Sequence, residues 1–299
     1  MSGASASTAD PVRRVAAEAW LFRWGVEVDA GLRFERLAER LAAIGAARSI
    51  VALARRSARD ERRHAEICAR LAEGLGASVP TDRPAAPREI VPTGLLARGQ
   101  VLYEVVAACC ITETESMSVL TTLLAAVKSR RMRAVLRRLA SDEVRHSRLG
   151  WAHLASEHAA GVTSFLGPLV PAMLQGSAAP DLFEAVSPAE EDAALLEYGV
   201  VPHGIKREVF ARTLEDVVFP GLQRFGVDTG PGRAWLASRR RHAARADPRS
   251  LDPLPMRGSD PESLSGARRC SPSSGRRRPK LTARPQPPQR KPVERDPGG

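Results

Sequence analysis

Two short segments of this 299-residue chain carry the same five-residue pattern. Asp60-Glu61-Arg62-Arg63-His64 and Asp142-Glu143-Val144-Arg145-His146 both read Asp-Glu-x-Arg-His. On an α-helix, residues three apart share a face. Each Glu-x-x-His pair therefore offers one carboxylate and one imidazole to the same point beside its helix. Such a mixed oxygen and nitrogen donor set is metal chemistry. A single Glu-x-x-His arises often by chance and would read as a solvated Arg/Glu-rich face. Two copies that also share Asp and Arg, each inside a long helical stretch, are far more specific.

A site of this kind needs more carboxylates from facing helices, and the turns locate them. In an antiparallel hairpin, residues at one level are equidistant from the turn. The midpoint of Glu27 and Glu61 is Ile44, directly before Gly45. The midpoint of Glu113 and Glu143 is Lys128, in the basic stretch 128–131. Both acids also interrupt apolar ridges. One reads Trp20, Trp24, Glu27, Gly31, Phe34, Ala38, Leu41; the other reads Val106, Cys109, Cys110, Glu113, Met117, Leu120. A buried carboxylate without a partner is expensive, so an acid in mid-ridge calls for a cation or a strong donor.

Rival acids fit less well. Glu35 lies nearer its turn than Glu61 requires, Glu115 sits on a more polar face, and Glu104 would move the second turn into residues 121–127. The expected ligands are thus Glu27, Glu61, His64, Glu113, Glu143 and His146. Four carboxylates and two imidazoles offset two divalent ions and suit iron or manganese better than a thiolate set would. Around them, Asp60 is expected to accept a hydrogen bond from His146 and Asp142 from His64, which would set the ring tautomers. Arg63 and Arg145 are expected to pair with those aspartates.

Long helices must hold these residues. Asp10-Pro11 reads as a cap followed by proline at the first helical position. A first helix is expected over residues 11–44, with Gly45 as its stop, and a second over 48–75, ending near Gly74 and Gly76. After a Pro-rich connection (79–92), a third is expected over 93–127 and a fourth over 132–158. Further helices are expected within 168–228. There Ser187-Pro188-Ala189-Glu190 reads as a capped start, residues 208–218 have helical spacing, and Phe219-Pro220-Gly221 reads as a break.

Composition agrees with an all-α chain. Aromatics make up 4%, and the abundant Ala, Leu and Arg lose little on entering a helix. No Val/Ile/Thr-rich stretch alternates with period two, so no sheet is expected. The formal charge of +11 would suggest nucleic acid, but its placement argues otherwise. Residues 238–299 hold 16 of the 45 basic and 6 of the 34 acidic groups, so the first 237 residues are near neutral. That terminal stretch also holds 11 of the 23 prolines and almost no large apolar residues. It reads as disordered, because it cannot bury enough surface to offset its ordering entropy. Three parts are expected: a four-helix bundle over 11–160, an accessory helical segment packed on it over 161–237, and a disordered basic Pro/Arg-rich tail over 238–299.

Four cysteines without CxxC spacing are no disulfide framework and imply reduced thiols in the cytoplasm. Neither a signal peptide nor a transmembrane segment is visible. Cys109 and Cys110 read as core residues, as Cys commonly does, although Cys109 also lies one turn before Glu113. His153 and His158 read as ordinary helix residues.

With its paired Glu-x-x-His motifs and two further glutamates, the stretch 15–158 resembles the ferritin-like di-iron carboxylate superfamily. That superfamily includes rubrerythrin, bacterioferritin, the methane monooxygenase hydroxylase and the aminobenzoate N-oxygenases. The Asp-Glu-x-Arg-His form is most similar to the oxygenase branch. Residues 34–68 and the run Cys110-Ile111-Thr112-Glu113-Thr114 are most similar to bacterial ferritin-like domain-containing proteins, a likeness that extends toward residues 198–229. The resemblance implies a ferritin-like four-helix bundle holding two iron ions. Glu61 and Glu143 would bridge them, and Glu27 and Glu113 would be terminal ligands.

Three functions follow as expectations. The first is an oxidase or oxygenase that activates dioxygen toward an unidentified small-molecule substrate, with an unidentified electron donor. The second is iron handling, as a ferroxidase or peroxide scavenger; the long tail and the added segment weigh against a storage shell, and no rubredoxin-type CxxC pairs exist. The third is a non-enzymatic metal-binding module whose basic tail touches nucleic acid or acidic surfaces weakly. The tail lacks interleaved aromatics, which weakens specific RNA binding. A homodimer is compatible with all three. Small residues near the ligands (Ala30, Gly31, Ala58, Ala65, Ala140, Ser147) fit either a cavity or close helix packing.

Overall fold

The first helix begins where Asp10 and Pro11 place it. The Asp10 carboxylate accepts from the Val12 N–H at 3.0 Å, and Pro11 has no N–H to leave unpaired at the first helical position. In the computed structural model, which describes residues 10–246, helix α1 runs Pro11–Ala43. Gly45 turns the chain at φ 72°, and α2 follows over Arg48–Leu75. Gly76 closes α2 at φ 104°, a left-handed conformation that glycine adopts without penalty.

Helix α3 covers residues 97–126 and is not uniform. Ala97–Val105 is α-helical, Val106–Thr112 forms a π-helical turn, and Glu113–Ala126 is α-helical again. The expected start near Thr93 is corrected to Ala97, because Gly94 makes a turn at φ 89°. Helix α4 runs Arg130–Ala159, and the Ser129 hydroxyl caps it by accepting from Met132 N–H at 3.3 Å.

Beyond α4 come a 3₁₀ turn at Ser164–Leu169, helix α5 at Val170–Ser177, and short turns at Pro188–Glu190 and Ala193–Tyr198. Ser187 does form a capping box with Glu190, but only one turn follows it. Helix α6 covers residues 203–224 as His203–Thr213, a π-helical turn Leu214–Val218, and Phe219–Arg224. The expected break at Phe219-Pro220-Gly221 is therefore corrected. Pro220 lies in the first turn of the segment after the π turn, where its missing N–H costs little. Gly221 serves packing: a Cβ there would lie 2.6 Å from Trp151.

Helix α7, Gly230–Ala246, corrects the start of the tail. Residues 238–246 continue a helix rather than beginning a disordered segment, because Ala and Arg are good helix formers. Leu236 and Ala243 bury themselves on α5 and α6, and Arg239 covers the Trp235 ring at 5.6 Å. The remainder of the expected tail lies outside the described residues. Among the described residues every element is helical, and no helix is long and apolar enough to cross a membrane.

Between α1–α4 the apolar side chains form two layers, while Leu102, Val106, Cys110, Ile111 and Leu154 face α5–α7 instead. Trp20, Trp24, Cys68, Leu120, Leu123, Leu136 and Leu139 form one cluster. Phe34, Leu37, Leu41, Ile50, Ala54, Val105, Cys109 and Leu149 form the other. On each of the four helices, the acid singled out from the sequence lies between a residue of the first layer and a residue of the second. Helices α5 and α6 pack against α3 and its π-helical turn, where the Thr112 hydroxyl donates to Ser177 Oγ at 2.9 Å.

Candidate metal centre

The polar layer between the two apolar clusters holds all six expected ligands. Glu27, Glu61, His64, Glu113, Glu143 and His146 are each at most 6% exposed. α1 supplies Glu27, α2 supplies Glu61 and His64, α3 supplies Glu113, and α4 supplies Glu143 and His146. Their donor atoms form two groups, each spanning no more than 4.8 Å. Glu61, Glu113, Glu143 and His146 make one group; Glu27, Glu61 and His64 make the other.

The two histidines are oriented alike. His64 Nδ1 lies 3.1 Å from Glu61 Oε2 and 3.8 Å from Glu27 Oε2. His146 Nδ1 lies 3.0 Å from Glu143 Oε2 and 3.8 Å from Glu113 Oε2. Each Nε2 points away from the carboxylates toward an aspartate of the other motif. His64 Nε2 is 3.1 Å from Asp142 Oδ2, while His146 Nε2 is 3.6 Å from Asp60 Oδ2 and is left without a hydrogen bond. The crossed pairing anticipated from the sequence is thus formed on the His64 side and slightly open on the other. Arg63 and Arg145 complete it: Arg63 pairs with Asp60, and Arg145 pairs with Asp142 and, at 3.1 Å, with Asp60.

Sequence reasoning missed two members of the layer, Arg23 and Ser116. Arg23 Nε donates to Glu27 Oε1 at 2.8 Å, and its Nη2 lies 3.1 Å from Ser116 Oγ and 3.5 Å from Glu143 Oε1. Its place four residues before Glu27, on the same face, was the available signal. Ser116, which also donates to Glu143 Oε1 at 3.1 Å, follows Glu113 by three residues and was equally readable.

Two of the rival acids, Glu104 and Glu35, are occupied elsewhere. Glu104 is fully buried but accepts from Arg33, Arg36 and Arg40, three guanidinium groups of α1. Glu35 pairs with Arg62 at the surface. His153 is buried beside Glu157, 4.0 Å away, and joins neither donor group. Gly31 faces Glu61, and a Cβ there would meet Glu61 Cβ at an ordinary contact distance of 3.5 Å.

Protonation reflects crowded charge in a dry layer. Burial alone would lower the His64 pKa, but the Glu27 and Glu61 carboxylates outweigh it and raise it to about 11. His146 is likewise pushed up against burial, by Glu61, Asp60, Glu113 and Glu143. Burial, with the Glu27 and Glu143 charges, raises Glu61 to about 7 despite His146. Burial and Glu143 also hold Glu113 well above the carboxylate range. Glu27 moves the other way, because Arg23 overcomes the cost of burying its charge.

The residues fit a metal pair on their own chemistry. Four buried carboxylates face one another with a single guanidinium among them, an arrangement that repels itself unless cations or protons intervene. Glu61 Oε1 and His146 Nδ1 stand 2.7 Å apart, yet Glu61 Oε1 has no hydrogen-bond partner. Comparison with protein-family models, curated proteins and solved structures returns no match.

Proposed function

We propose that this chain is a ferritin-like di-iron carboxylate protein acting as an oxidase or oxygenase. The observation that carries the reading is the duplicated, crossed arrangement of His64 and His146. Both Nδ1 atoms converge on the four glutamates, while both Nε2 atoms face the aspartate of the opposite motif. Structural ion pairs have no need of this double orientation; ligand imidazoles backed by carboxylates do.

In this reading Glu27, Glu61 and His64 would hold one ion and Glu61, Glu113, Glu143 and His146 the other, with Glu61 common to both groups. Iron suits the donor set, and manganese can occupy the same oxygen and nitrogen donors. A bound pair supplies electron transfer to dioxygen, coupled to oxidation of a small-molecule substrate and renewed by an external electron donor. The chain supplies the rest. Asp60, Asp142, Arg63 and Arg145 orient the imidazoles, and the layers of Trp20, Trp24, Phe34 and Leu149 exclude water. Three buried free thiols, Cys68, Cys109 and Cys110, support a reducing cytoplasmic location.

Metal analysis tests the proposal. Aerobically purified protein is expected to carry about two iron ions per chain, and Glu61→Ala to lose most of both. A protein without iron, manganese or another transition metal, whose Glu61→Ala variant folds and behaves identically, would overturn it. Substrate-dependent oxygen consumption then separates an oxygenase from a peroxide scavenger, which would turn over peroxide without substrate.

A further inference from the structure

We propose that the two metal positions bind unequally, and that Arg23 sets the difference. The position bounded by Glu61, Glu113, Glu143 and His146 takes a divalent cation first; the position bounded by Glu27, Glu61 and His64 fills second. This inference rests on the metal reading above and goes beyond it, because duplicated motifs alone would imply two equal positions.

Two observations point the same way. First, the donor groups differ in size: four side chains converge on one position and three on the other. Each carboxylate added to a site raises its affinity for a hard cation. Second, the smaller group shares its acid with a guanidinium. Glu27 Oε1 accepts from Arg23 Nε at 2.8 Å, a charge-assisted bond that withdraws negative charge from the carboxylate. Arg23 is anchored there by Ser116 Oγ at 3.1 Å, and its Nη2 is 3.5 Å from Glu143 Oε1. It is therefore a fixed positive charge at the edge of the site.

The other half feels this charge less closely, through Glu143 at 3.5 Å rather than a direct bond of 2.8 Å. Glu27 is preceded by Arg23 at four residues, whereas Glu113 is preceded at the same spacing by Cys109, a neutral and fully buried thiol. Arg23 is thus a positioning residue. It turns Glu27 so that Oε2, 3.8 Å from His64 Nδ1, is the oxygen left for a cation, and it weakens that position by repulsion. A unit charge a few ångströms from a divalent ion changes affinity by about tenfold or more, even at a high effective dielectric.

The test is titration of the metal-free, full-length protein with Co(II), followed by its visible absorption, which reports coordination without turnover. The wild-type chain is expected to fill in two steps whose dissociation constants differ by about tenfold or more. Glu27→Gln should lose the weaker step and keep the tighter one. Arg23→Met should tighten the weaker step by about tenfold and the tighter step by less, so that the gap narrows. Arg23→Lys, which keeps the charge, should preserve the gap. Two equal steps in the wild type, loss of the tighter step in Glu27→Gln, or an unmoved weaker step in Arg23→Met would each overturn the inference while leaving the metal reading intact. Wild-type protein that binds no Co(II) overturns both. If Arg23→Met does not fold, the wild-type and Glu27→Gln isotherms still decide.

Discussion

Replacing Gly150 with alanine is expected to destabilise the protein, although glycine-to-alanine changes inside helices usually do the reverse. Gly150 lies within α4, where alanine would ordinarily gain about 1 kcal/mol. Here the new Cβ would stand 2.6 Å from Cys109 Cβ and 2.9 Å from both the Cys109 carbonyl carbon and the Cys110 nitrogen. Ordinary contact begins at 3.4 Å, and two of these three atoms are backbone, which no rotamer change can move aside. Helices α3 and α4 must therefore part by most of an ångström. Overpacking of this kind costs about 1–3 kcal/mol, and the rigid neighbours place Gly150 at or above the top of that range. After the propensity gain, the net loss is about 2 kcal/mol. For a folded unit of this size that lowers Tm by about 4–8 °C. Gly25, within α1, is the control: nothing lies within 4 Å of its added Cβ, so Gly25→Ala should raise stability by about 0.5–1 kcal/mol. Thermal and urea unfolding of the metal-free protein measure both. Gly150 follows His146 by one turn and Cys109 precedes Glu113 by one turn, so forcing the helices apart should also weaken metal binding at that position. A Gly150→Ala protein as stable as the wild type, or one that responds like Gly25→Ala, would refute the packing argument.

Other outcomes follow from buried charge. Glu104→Ala leaves Arg33, Arg36 and Arg40 without their shared carboxylate; breaking a buried pair from one side costs about 3–5 kcal/mol, which urea denaturation should register. Asp142→Asn removes the charged acceptor facing His64 Nε2 and should weaken metal binding about 10–100-fold, whereas retained affinity would show that the aspartate has no part in ligand orientation. Metal binding should release protons and weaken as pH falls. His64, with its pKa raised to about 11, is protonated at pH 7 in the metal-free protein, and Glu61 is raised to about 7. A cation must displace those protons, so affinity rises with pH through this range. Calorimetry in buffers of different ionisation enthalpy measures the release, and a titration with no proton exchange counts against ligation by the histidines.

Much of the candidate site was legible because helical geometry is local. A three-residue spacing sets two side chains on one face whatever surrounds them, so Glu61 with His64 and Glu143 with His146 could be paired from the sequence. Turn positions marked by Gly45 and by the basic stretch 128–131 placed Glu27 and Glu113 at matching heights. Of the two crossed contacts the repeat suggested, Asp142 with His64 forms, while Asp60 stands 3.6 Å from His146 without a hydrogen bond. Tertiary structure decided what depends on neighbours far along the chain. The π-helical turn at Val106–Thr112 carries no composition signal, and its place against Gly150 emerges only when α3 and α4 pack. Pro220 reads as a breaker in isolation, yet the wide turn before it admits it. The Ala- and Arg-rich start of the tail folds because Leu236 and Ala243 find apolar partners on α5 and α6. Glu104 could be set aside by register, but only packing shows three arginines enclosing it. The difference between the two halves of the centre, Arg23 beside Glu27 and Cys109 beside Glu113, is written in the sequence. It acquires meaning only from the distances among Arg23, Ser116 and Glu143, because charge acts through space and the chain brings these residues together only on folding.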